Sequence, residues 1–98
     1  MTESGPTGEY VVECFWPGVD PDAVRALDAR AAASAGELTR AGTPVRYLGS
    51  LLMPADEVVL CLFEGAESSV REAAERAEVP FERVLAAARS PWPIAQNA

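Results

Sequence analysis

The sequence predicts an α+β domain in the order β-α-β-β-α-β, with its strands in one antiparallel sheet. Three observations predict it. Residues 10–15 and 57–64 are short runs rich in β-branched and aromatic side chains, each stopped by turn residues. Residues 21–40 carry apolar side chains at helical spacing behind an Asp-Pro start signal. A second helical stretch, near residues 69–77, follows the third strand.

Strand one, Tyr10-Val11-Val12-Glu13-Cys14-Phe15, stops at Trp16-Pro17-Gly18. Alternation puts Tyr10, Val12 and Cys14 on one face and Val11, Glu13 and Phe15 on the other. Helix one is expected to begin with Asp20 at the N-cap, Pro21 at N1 and Asp22 in the first turn, where negative charge suits the helix dipole. Val24, Leu27, Ala31 and Leu38, with Ala35 beside them, form its apolar stripe, while Arg25, Asp28, Arg30, Glu37 and Arg40 fall mostly elsewhere. Gly42 is the expected stop. Gly36 costs about 1 kcal/mol relative to alanine and marks a place for a bend or an early end.

Strand two spans Val45–Met53, Pro54-Ala55-Asp56 turns the chain, and strand three spans residues 57–64. Strand three is apolar on both sides, with Val59, Cys61 and Phe63 on one and Val58, Leu60 and Leu62 on the other. That pattern predicts a central strand with something packed on each face. Gly65-Ala66-Glu67-Ser68 is expected to break the sheet, and Ser69-Val70-Arg71-Glu72 reads as a capping box that opens helix two. Beyond Pro80 the signals conflict. Phe81, Val84, Leu85 and Ala88 have helical spacing, yet a strand near residues 84–88 completes the ferredoxin-like pattern and is the reading adopted. Residues 1–8 read as a flexible leader, 9–89 as the single domain and 90–98 as a Pro-rich extended tail.

Composition excludes several classes of function. The chain has 98 residues, a formal charge of −7 and no histidine. A net-acidic chain lacks the clustered positive charge that nucleic acid or an anionic membrane surface requires. Without histidine there is no Ser-His-Asp or Cys-His constellation and no imidazole zinc site. Lysine is absent too, which removes Schiff-base chemistry. The longest apolar run, residues 58–63, is far short of the ~20 residues that cross a membrane as a helix. The opening Thr2-Glu3-Ser4-Gly5-Pro6 lacks the basic and apolar regions of a secretory signal, so a cytoplasmic location is expected. Much of the 49% hydrophobic content is alanine, which buries little area; a second copy is the expected cover, giving a dimeric α/β sandwich or barrel.

Several stretches resemble a known family. Tyr10-Val11-Val12-Glu13 matches an opening "Y-h-h-E" strand, and Val45-Arg46-Tyr47-Leu48 with Ser50 stands where the family has "V-x-W" and a serine. Asp56, Cys61 and Glu64 match "D…C-h-Y-E", and Val70-Arg71, Ala74, Ala77, Pro80 and Arg83 match "V-R-x-x-A-x-x-A-x-x-P-x-x-R". Across roughly residues 9–88 the chain resembles a family of small bacterial proteins, a domain of unknown function with a nickel-binding ferredoxin-like member. The resemblance implies a β-α-β-β-α-β fold that pairs into dimers, and a divalent metal such as nickel. Where relatives often carry histidine, this chain reads Glu72-Ala73-Ala74-Glu75. Nickel(II) favours imidazole, amine or thiolate donors over oxygen alone.

Glu13 and Glu64 are the leading site candidates, because each carboxylate interrupts an apolar strand. Strands one and three are expected as parallel neighbours at the sheet centre, and a buried carboxylate there needs a partner, a cavity or a proton. One reading makes the pair a general acid/base or a hard-metal site in a pocket between the sheet and a partner subunit. The other has Glu13 paired with Arg46 and Glu64 in water at a strand end. Tyr47 is the third candidate, as a proton-transfer partner of a carboxylate; strict parity groups it with Gly49 and Leu51, and Ser50 with Arg46 and Leu48. Cys14 and Cys61 occupy compatible positions on neighbouring strands. They read as small buried hydrophobes, since a thiolate metal site needs lowered pKa values and no basic cluster is near. Glu72, Glu75 and Glu78 with Arg71 and Arg76 read as a solvated helix face. Two functions are carried forward: a small binding protein holding a ligand or divalent cation over the sheet, and a cofactor-independent isomerase, cyclase or monooxygenase-like enzyme using carboxylate and tyrosine.

Overall fold

A computed structural model describes residues 7–90 and 93–96. The elements run β1 (Thr7–Phe15), α1 (Pro21–Arg40), β2 (Val45–Met53), β3 (Val58–Ala66), α2 (Glu67–Arg76) and β4 (Arg83–Ala87). They make one four-stranded sheet in the order β2-β3-β1-β4, with both helices on one face. This is the ferredoxin-like arrangement, and the conflicting segment after Pro80 is a strand. Every pairing in the sheet is antiparallel, β1 with β3 included. The expected parallel pairing of strands one and three is therefore wrong: β3 follows β2 through a tight turn, which reverses it against both of its neighbours.

Local chemistry explains most boundaries. Asp20 caps α1 as expected, its side chain accepting from the Ala23 N–H at 2.8 Å, and α1 runs through Gly36 to Arg40 without an early end. Gly42, at φ +101, closes that helix in a conformation that strongly favours glycine. The Thr39 hydroxyl then holds Val45 by both backbone groups, donating to its carbonyl and accepting from its N–H, which locks the α1–β2 joint. Glu57 and Glu78 both adopt left-handed φ, +55 and +58. Glu57 has a reason: its carbonyl accepts from Trp16 N–H and its carboxylate from Gly18 N–H, clasping the β2–β3 turn to the loop after β1.

Helix α2 begins two residues before the predicted capping box. Its N-cap is Ala66, without a side-chain cap, and Ser69 lies buried inside the first turn. β3 stays paired as far as Ala66, opposite Thr7, so the sheet carries the chain directly into the helix. β1 likewise starts at Thr7, inside the stretch read as leader. Residues 1–6, 91, 92, 97 and 98 of the expected leader and tail lie outside the described residues.

The core sits between the helices and the sheet. Val12, Cys14, Val59, Cys61 and Phe63 from β1 and β3 pack against Leu27, Ala31, Val70, Ala73 and Ala74, all fully buried. Alanine at the α1–α2 contact lets the helices approach closely. Ser34 donates to the Ala73 carbonyl at 2.8 Å, and Arg30 to the Ala77 carbonyl at 2.8 Å, so the close contact leaves those groups satisfied. No helix among the described residues is long and apolar enough to cross a membrane.

Candidate functional site

The face of the sheet away from the helices has no cover in a single chain. Its side chains fall in cross-strand rows set by the register. One row holds Gly49, Leu62, Val11 and Leu85; the next holds Leu51, Leu60, Glu13 and Arg83; Met53, Val58 and Phe15 follow. Phe15 is 53% exposed and Leu51 59%. Gly49, in an open conformation at φ +135, leaves a dimple of about 190 Å³ lined by Leu48, Ser50, Leu51 and Leu62. At the opposite end lies a charged row, in which Glu64 and Glu9 stand directly across from each other. Like charges so placed repel, and arginine on either side offsets them. Arg46 donates to Glu64 at 2.9 Å, and Arg89 grips Glu9 with two nitrogens, one at 3.2 Å. The Arg89 guanidinium holds the Glu9 carboxyl below its ordinary value.

Glu13 and Glu64 share this face but do not meet. Glu64 faces Glu9, four residues from Glu13, a separation of roughly 13 Å along the strand. Glu13 takes Arg83 as its partner at 2.5 Å rather than Arg46, which belongs to Glu64. Tyr47 lies on the other side of the sheet altogether. The three leading candidates therefore do not form one constellation.

Tyr47 instead joins a site that strict alternation hides. The β2–β3 register slips between Tyr47 and Gly49: Tyr47 faces Phe63, Gly49 faces Leu62, and Leu48 is the extra residue of a bulge. That slip turns Ser50 to the same face as Tyr47, against the expected parity. Both hydroxyls donate to the same Oδ1 of Asp28 on α1, Ser50 at 2.8 Å. The Tyr47 ring packs against Phe63 with centroids 4.9 Å apart, and Cys61, which stands across from Ser50 on the same face, lies on β3 diagonal to Cys14 on β1. Burial and the Asp28 carboxylate push the Tyr47 hydroxyl well above its ordinary value, so it stays protonated as a donor. Interaction with Cys14 holds the Cys61 thiol below its ordinary value against the effect of burial, while interaction with Cys61 and burial push Cys14 up. Ser50, Asp28 and Tyr47 thus form one hydrogen-bonded group, with the two cysteines beside it on the same face. Asp28 was missed because it sits on the flank of the α1 stripe. The signal that pointed to the bulge was Gly49, an isolated glycine inside a strand.

Residues 10–86 match the family described as nickel responsive protein SCO4226-like. The crystal structure of SCO4226 from Streptomyces coelicolor A3(2) superposes with a TM-score of 0.70 at 17% identity, covering 86% of this chain and all of that one, a likeness of fold. No curated protein matches. Nickel, the metal of the family's description, does not fit the donors of a single chain. There is no imidazole, each open-face carboxylate is held by an arginine, and among the described residues no three Cys, Asp or Glu side chains converge.

Proposed function

The chain belongs to the nickel-responsive SCO4226-like family, and from that premise we propose that it is a small binding protein whose open sheet face is the binding surface. A second copy closes over that face and a small ligand is held between the two sheets. The observation that carries this reading is the apolar centre of the face: Val11, Leu60, Leu62 and Leu85, with Phe15 and Leu51 more than half exposed beside them. Nine-residue strands in a four-stranded sheet span roughly 15 by 30 Å, and an apolar patch on that scale is commonly a binding surface. The two-fold pairing of identical faces is the commonest way to cover it. Glu13 with Arg83 is the charged pair nearest the apolar centre and would set a ligand's orientation; Glu64 with Arg46 lies at the end of the chamber.

The enzymatic alternative has one observation in its favour, the Tyr47–Asp28 pair, which is the phenol and carboxylate that proton transfer needs. It ranks second because Asp28 is already engaged by two hydroxyls and Tyr47 is held protonated. Native mass spectrometry of untagged protein tests the reading. The expected spectrum shows two chains with a retained small molecule, and Leu62→Asp abolishes both features. A single chain with no adduct, unchanged by Leu62→Asp, would overturn it.

A further inference from the structure

Among the described residues Cys14 and Cys61 are the two most deeply buried nucleophiles, and the open-face reading uses neither. Both are fully buried on the helix side of the two central strands. Cys14 faces Val59 and Cys61 faces Val12, so the cysteines are diagonal neighbours across β1 and β3. Diagonal positions lie ~7–8 Å apart. That exceeds the reach of a disulfide without backbone movement. It suits a bridged pair, because two metal–sulfur bonds of about 2.3 Å each span the gap between facing thiols.

The geometry points to Cys14 and Cys61 as a two-coordinate site for a soft monovalent cation, Cu(I). Three features of the surroundings select it. Thiolates are soft donors that favour Cu(I). Among the described residues no third Cys, Asp or Glu joins the pair in a metal-holding group, which leaves Zn(II) and Ni(II) short of the ligands they require. The walls are apolar, with Val12, Val59, Phe63 and Leu27 all fully buried, so water does not complete the coordination shell of a harder ion.

Binding balances without a change of oxidation state. Two S–H bonds break, two Cu–S bonds form, and two protons leave to solvent. The cation's own charge offsets the thiolates as they form. The Tyr47–Asp28–Ser50 group, beside Cys61 on the same face, leads to the half-buried rim of α1 and β2, where protons leave. A groove of about 370 Å³, lined by Ala32, Ala35, Gly36 and Arg40 of α1, brings solvent to Tyr47. Asp28 opposes the bound anion electrostatically, and the Tyr47 and Ser50 hydroxyls that donate to Asp28 offset its charge.

The test is an anaerobic titration of the reduced, full-length chain with Cu(I) against a chromogenic Cu(I) chelator. The expected result is one Cu(I) per chain with thiolate-to-copper charge-transfer absorption in the ultraviolet. Cys14→Ala and Cys61→Ala should each weaken binding by more than the ~10–100-fold that loss of an outer-shell partner costs. Alanine keeps both sites apolar, and circular dichroism of each variant confirms the fold. Should a variant unfold, the wild type decides alone: it should take one equivalent of Cu(I) from the chelator and develop the ultraviolet band, whereas Ni(II) should give no such band. Wild-type protein that leaves all the copper on the chelator, or a double Cys→Ala variant that binds it equally well, would overturn the assignment. The open-face dimer is measured separately, so neither result depends on the other.

Discussion

The two sides of β3 carry nearly the same hydrophobicity and meet different fates. Val59, Cys61 and Phe63 are fully buried beneath α1 and α2, whereas Val58, Leu60 and Leu62 look out from the open face only half covered. Helices decide the first side: alanine-rich stripes bring them close enough to leave no space over the sheet. Nothing in one chain decides the second. The covered side also hides polar chemistry, Tyr47 and Ser50 both donating to Asp28 beside two buried thiols, while the open side keeps its charges paired around an apolar centre. On the proposed dimer, a strand that is apolar on both faces meets two different needs, a core and a partner surface.

Truncation separates these needs most sharply. Phe63→Ala should lower the unfolding free energy by about 3–5 kcal/mol, read by chemical denaturation. Leu60→Ala should cost far less in a dilute single chain and appear instead as weaker association. Equal losses for the two at every protein concentration would erase the distinction. Next in size, Tyr47→Phe removes one of the two hydroxyls that donate to Asp28. A hydrogen bond to a charged group is worth about 1.5–3 kcal/mol, read by chemical denaturation. Unchanged stability would mean that the Tyr47–Asp28 bond contributes nothing to the fold.

Smaller effects come from the edges. Glu78 holds left-handed φ at the end of α2 with no contact like the Glu57 clasp, so Glu78→Gly should raise stability by about 1 kcal/mol. Glu57→Gly should gain less or lose, because it gives up the bond to Gly18. The smallest effect is on pH dependence. Arg89 lowers the folded-state pKa of Glu9 below 4.5. The unfolded chain therefore takes up that proton first, and the contribution is present above about pH 4.5 and fades as pH falls through the folded value. Glu9→Gln should flatten that part of the acid denaturation curve, and an unchanged curve would remove the pair from the account.

The fold was legible where its signals are local. Asp20-Pro21 starts α1, Gly42 ends it, and the alternation of β1 assigns its two faces, each as expected. Long-range register was not legible. Arg83 meets Glu13 only because β4 pairs with β1 across 70 positions, so the nearer-looking Arg46 was the wrong partner. The site around Asp28 was hidden by one residue. Parity assumes an unbroken period of two, and the bulge at Leu48 shifts everything after it to the other face. Ser69 shows the reverse error: a capping-box spacing was present in the sequence, but sheet pairing through Ala66 placed the N-cap three residues earlier. The resemblance carried the fold and the family, while the missing histidines kept it from carrying a nickel site.

The central claim is that the open face is a surface for a second copy. Sedimentation velocity across nanomolar to micromolar protein, with and without Leu60→Asp, tests it most directly. The account predicts a species of twice the 10.4 kDa chain at micromolar concentration, reduced to one chain by the substitution with the helical signal of circular dichroism intact. A single 10.4 kDa species at every concentration, identical in wild type and variant, would contradict it.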